Sequence, residues 1–366
     1  MKIQAALIGF ASIAMLGSAG AQQSKLTGFP ALANEFVFTT LAFSPISATQ
    51  SGLHRYKDPA TGKELNLDQM LDDYSPAGMA KQRAFYTGFR ARLARLPMST
   101  MDPETQADYG ILQNAVSAAF FSMDRERFTA WKPQMYAEGL GSALFANISL
   151  EYADKNTRAH DLTVRLEKTP AFMDQATRNL TASNDIFRRV ALESVEGVRD
   201  LVRTTGADFV KGTPSEARYA KAETAAMASF DRFEAFVKND LPKNPQRDWR
   251  MGRDEFAQKF KYYLEVSGTP ESLMSAAEDS LRSIRAEMLR LAEPLHTEWF
   301  PGHRHAADDR EAYTNSIVSE VMQRIGSEHA DRDSLVTQAM KDVAMLEKMV
   351  VDKHILSLDD FSNLRV

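Results

Sequence analysis

Apolar positions recur every three or four residues through most of this 366-residue chain, the spacing of helices that bury one face. The first such pattern runs from Pro30 to Phe43, with proline at its start and Pro45 just past its end. Ser44 to Tyr56, rich in serine, threonine and glycine, reads as a compact loop. Ser75-Pro76 then opens a helix through Phe85, Phe89 and Leu93 to Leu96. Asp102, as N-cap, and Pro103 open another through Tyr109, Leu112, Val116 and Phe120. Helical patterns follow over 139–154, over 159–182 with an interruption at Thr169-Pro170, and over 185–209, 215–241 and 253–266. Thr269-Pro270-Glu271-Ser272 is a start signal for 273–291, and 310–325 and 334–353 are also helical by pattern. No segment alternates with period two between hairpin turns. The expected fold is mainly α, a multi-helix array of long amphipathic helices with little or no sheet.

The first residues depart from this pattern. Lys2, an apolar run from Ile3 to Leu16 and a small-residue end at Ala19-Gly20-Ala21 read as a secretory signal peptide cleaved after Ala21. The run is too short for a membrane span, so the mature chain, one helical domain over 22–366, is expected to be exported, periplasmic or extracellular, with no stable membrane span. The formal net charge is −5, and cleavage removes one lysine and no acid. That acidity argues against nucleic acid as a partner. With no cysteine, no disulfide staples the fold, and thiolate metal sites and cysteine nucleophiles are excluded.

Chemistry concentrates in Leu295 to His305, which holds three of the seven histidines, one carboxylate and one of the three tryptophans. His296, Glu298, His303 and His305 are the candidate metal ligands, because imidazole and carboxylate suit Zn²⁺. Their spacing counts against them. A helical zinc motif places two histidines four apart with glutamate directly after the first, whereas Thr297 intervenes here and Pro301-Gly302 breaks the helix. His303 and His305 could bind a metal jointly only if extended, and would be water-exposed; the competing reading is a loop after a helix C-terminus, with histidines near the negative end of the dipole. His54, in a short loop after Gly52-Leu53, is the one candidate for a substrate cleft, weighed against a histidine that bonds a helix end. Asp72-Asp73 and Asp308-Asp309 read as solvated faces. No Gly-x-Ser-x-Gly, Gly-x-Gly-x-x-Gly or Walker pattern occurs, and no catalytic residue is assigned.

Ala33-Asn34-Glu35-Phe36, Ser44-Pro45, Ala48-Thr49, Gly52-Leu53-His54, Asp108-Tyr109 and Ser283 to Met288 together resemble the bacterial "domain of unknown function 885" family. The resemblance implies an exported, mostly helical zinc metallopeptidase or related metal hydrolase, acting on a peptide or small-molecule substrate. It implies zinc for the complete protein, held by a His-Glu-x-x-Pro-Gly-His motif. No His-Glu pair occurs in these 366 residues. The expectation is therefore the N-terminal portion of such a protein, cut before its metal-binding helix, with no cofactor of its own and inactive alone. The alternative is a non-catalytic helical binding or interaction module of the bacterial envelope. Whether the chain is an enzyme stays open at this point.

Overall fold

The computed structural model describes residues 27–265 and 268–356, so the signal-peptide reading over Met1 to Ala21 lies outside it. The chain divides into two compact units, Met1–Ser267 and Gly268–Val366. The first opens with α1 (Gly28–Phe43), α2 (Pro45–Gln50) and a small antiparallel hairpin of β1 (Arg55–Lys57) and β2 (Glu64–Asn66), in which Tyr56 faces Leu65. Next come α3 (Pro76–Leu93), α4 (Pro103–Phe121), α5 (Gln134–Ser149) and α6 (Lys155–Asn179). The unit continues with α7 (Asp185–Leu201), α8 (Ala207–Val210), α9 (Glu216–Asn239) and α10 (Arg253–Leu264). The second unit holds α11 (Pro270–Trp299), α12 (Arg310–Gly326) and α13 (Leu335–Asp352). The mainly α expectation holds.

Two apolar cores organise the first unit. Phe36, Phe89, Leu93, Leu112 and Val116 close the smaller one among α1, α3 and α4. Tyr136, Leu140, Leu166, Met173, Phe230 and Phe233 lie in the larger one, formed by α5, α6, α7 and α9. Arg199 on α7 reinforces this packing by donating from Nη1 to Asp231, at 2.7 Å, and from Nη2 to Glu234, at 2.9 Å, both on α9. In the second unit Leu289 and Ala292 of α11 meet Ile317 and Val321 of α12, while α13 has no buried residue.

Four local readings change. Ser44 to Tyr56 is not all loop, because Pro45–Gln50 forms α2, whose first turn is capped from a distance. The Asp72 carboxylate accepts from the Ile46 backbone N–H at 3.2 Å, the Ser44 hydroxyl at 2.9 Å and the Tyr74 hydroxyl at 3.1 Å. Asp72 is therefore a buried cap rather than a solvated acid, and burial pushes its carboxyl above the usual range against the pull of those donors. Pro170 does not interrupt α6. A mid-helix proline costs about 3 kcal/mol, but the helix face around it buries Leu162, Leu166, Phe172 and Met173, each worth roughly 1.5–3 kcal/mol. Likewise α11 runs past Leu291 and through Pro294 to Trp299, which takes His296 into its last turn.

Arg165 on α6 joins these parts. Its side chain is fully buried, and its guanidinium donates to the carbonyls of Met70 (3.0 Å), Ala143 (2.6 Å) and Leu67 (3.0 Å). It also donates to the Asn147 side-chain oxygen at 3.0 Å and the Thr49 hydroxyl at 2.6 Å. Five oxygens from α2, α5 and the segment after β2 thus converge on one planar donor fork. Burial lowers its pKa from the ordinary arginine value, while Asp68, Asp72 and Asp161 oppose that shift through their charge. Replacing Arg165 by Met would take the guanidinium donors away from those buried oxygens. The expected loss is about 3–5 kcal/mol, read as a lower urea midpoint; an unchanged midpoint would show that the fork holds nothing together.

Candidate metal centre

Helix α11 is started by a reciprocal cap. The Thr269 hydroxyl accepts from Ser272 N–H at 3.2 Å, and Ser272 Oγ accepts from Thr269 N–H at 2.9 Å. At its other end His296 sits on the last turn, buried, with its ring 5.1 Å from that of Phe300. The chain then reverses over Phe300-Pro301-Gly302-His303. Gly302 has φ +84°, and His303 N–H donates to the Phe300 carbonyl at 3.1 Å. Proline followed by a positive-φ glycine is the chemistry of a type II turn. Asp309 caps α12 by accepting from the N–H groups of Glu311 and Ala312, both at 3.0 Å. The turn and the cap return His303 and His305 to the face of α12 that carries Glu320.

The result is a four-residue group. His296 Nε2 is 2.8 Å from Glu320 Oε2, and His303 Nε2 is 3.3 Å from Glu320 Oε1. His305 Nε2 also lies 3.3 Å from Oε1, yet it is buried and forms no hydrogen bond. One ligand atom from each residue fits within 4.8 Å of all the others. In a tetrahedral zinc site with bonds of about 2.0–2.1 Å, neighbouring ligand atoms stand about 3.3 Å apart. Two of the contacts already have that separation. The hydrogen bond from His296, with smaller pulls from His305 and His303, holds the Glu320 carboxyl below the usual range. A deprotonated carboxylate is the form that a metal takes.

The sequence candidates therefore separate. His296, His303 and His305 come together, although their spacing breaks the helical zinc pattern. Glu298 does not join them: it is exposed on α11, and the carboxylate of the group is Glu320, on the next helix. Periodicity had marked Glu320 only as a residue of a helix. Its one sequence signal is its place on α12, which the turn at Pro301-Gly302 folds back towards the histidines. The chain does leave α11 as a loop with His296 on the last turn, but of the two histidines expected to be water-exposed only His303 is, the His305 side chain being 16% exposed. A cleft of about 330 Å³ opens on the histidine side, lined also by Glu293, Thr297, Arg304, Tyr313 and Ile317.

His54 lies in the first unit. Its Nδ1 sits 3.0 Å from both oxygens of Asp68, and its ring stacks on Tyr152 with centroids 4.5 Å apart. Asp68 is buried and also accepts from the Thr49 hydroxyl at 2.8 Å, which in turn accepts from Arg165. His54 is thus the outer end of the buried Arg165 network rather than a ligand of a helix terminus.

Residues 45–362 match the family described as "Bacterial protein of unknown function (DUF885)". The chain belongs to this family. A solved structure from Shewanella oneidensis, described as a "putative lipoprotein of unknown function", superposes with a TM-score of 0.71 at 20% identity. It covers 91% of this chain, and this chain spans 59% of its length. At that identity the likeness is one of fold. No curated protein matches. Among the described residues no helix is long and apolar enough to cross a membrane.

Asp68→Ala would leave the Thr49 hydroxyl and the His54 ring without their shared acceptor. A loss of about 1–3 kcal/mol is expected, read by urea unfolding, with His54→Ala costing less because its ring is partly exposed. Equal costs would show that His54, and not Asp68, organises this corner.

Proposed function

We propose that this is an exported helical protein whose Gly268–Val366 unit binds one zinc-class divalent ion through His296, His303, His305 and Glu320. The four ligand atoms within 4.8 Å of one another carry the reading, with the buried Nε2 of His305 standing 3.3 Å from Glu320 Oε1 without a hydrogen bond. A packed apolar corner would not gather three imidazoles around one carboxylate. Three imidazoles and a carboxylate, with no thiolate, favour Zn²⁺ and neighbouring borderline metals over Mg²⁺ or Ca²⁺. Export rests on the Lys2 to Ala21 leader pattern.

The zinc hydrolase that the sequence resembles would use a His-Glu-x-x-Pro-Gly-His centre, which has no residues here. The ion proposed here is therefore a different one, and peptide hydrolysis is not assigned to it. Four protein ligands suit a structural or binding role. That ligand set favours the helical binding module over a peptidase reading.

Zinc bound after dialysis should reach one equivalent per chain. His305→Ala and Glu320→Gln should each weaken it by more than about 100-fold, the upper end of what losing an outer-shell partner costs. Glu298→Gln should leave it unchanged. No tight zinc in the wild-type chain would end the proposal, and sensitivity to Glu298 in place of Glu320 would overturn the ligand set.

A further inference from the structure

The cleft beside the histidines holds the next clue. Its lining includes His296, His303 and His305 but not Glu320, so it opens on the imidazole side of the group. Arg304 lies in the lining between two of the ligands, exposed and with no hydrogen bond or ion pair to any described residue. An unpaired guanidinium in a cleft is a ready fork for a planar carboxylate. Glu293 is the only acid in the lining, and burial, with the nearby Glu293 carboxylate, raises the Tyr313 pKa.

The balance of charge turns on the metal. With neutral imidazoles, the Glu293 and Glu320 carboxylates outweigh Arg304 and leave the metal-free site net negative by one charge. A divalent ion would make it net positive by one. Arg304 and the ion would then attract an anion from the same side, inside a cleft whose volume is at the small end of ligand pockets.

We propose that the metal-loaded cleft binds a carboxylate, seated between the Arg304 guanidinium and the ion. This rests on the metal-site reading above and adds the ligand class to it. No bond is made or broken. The carboxylate enters as an additional oxygen donor, and the histidines and Glu320 remain ligands. Thr297 offers a hydroxyl on the same wall.

Cobalt separates the two claims, because its visible spectrum reports both its binding and a change in its coordination. The full chain would be loaded with Co²⁺ and titrated with acetate, for a small free carboxylate, and with N-acetyl-dialanine, for a peptide C-terminus. Saturable spectral change is expected with at least one probe. Arg304→Met should weaken that probe about tenfold or more, the effect of losing one charge-assisted pair, while cobalt affinity stays unchanged. Whichever probe binds more tightly names the source of the carboxylate, and either ranking supports the site. Without metal, neither probe should bind. One equivalent of cobalt with no response to carboxylate, or a response indifferent to Arg304, would overturn this inference and leave the metal site standing. Failure to bind cobalt or zinc at all would remove both.

Discussion

A polar atom taken out of water has to find a partner inside the protein, and this constraint separates the structural from the functional parts of the chain. Around Arg165 it is met. Five oxygens receive the guanidinium, and the carboxylates of Asp68, Asp72 and Asp161 offset its charge without touching it. That network ties α2, α5 and α6 together, and His54 is its outer edge. At three side-chain atoms among the described residues the constraint is not met: Glu126 Oε2, Gln134 Oε1 and His305 Nε2. Only His305 has other metal-ligating atoms gathered beside it. The same rule that makes Arg165 a girder singles out His305 among the buried polar atoms.

The group of three histidines and Glu320 is assembled by punctuation. Pro294 fails to end α11, so His296 stays on a helix and faces the packed side beside Leu289 and Ala292. Pro301-Gly302 does turn the chain, and Asp309 restarts it as α12. The packing of Ile317 and Val321 against α11 then fixes the rotation of α12, which sets the place of Glu320, three residues after Ile317 and one before Val321. A site of this kind needs no local sequence motif, because its ligands come from a helix end, a turn and the middle of a second helix.

This explains what the sequence made legible. Helical periodicity located nearly every long helix, and residue types alone drew attention to 295–305. What failed was reasoning that depended on contacts between distant segments. Glu298 looked like the carboxylate because it is near in sequence, whereas Glu320 is near in space. Asp72 looked solvated because its partners, Ser44 and Ile46, lie 28 and 26 residues away. Pro170 looked like a break because the local cost of proline is visible in sequence and the burial that offsets it is not. His54 was singled out from its loop setting, but its partner Asp68 carries no local signature.

The most direct test of the central claim is X-ray absorption at the zinc edge of the metal-loaded chain. The account predicts a first shell dominated by imidazole nitrogen, with three histidines and one carboxylate oxygen at about 2.0–2.1 Å, and loss of an oxygen contribution in Glu320→Gln. A shell of oxygen alone, or histidine scattering unchanged by His305→Ala, would show that zinc binds elsewhere and that the cluster is only a packed corner of two helices.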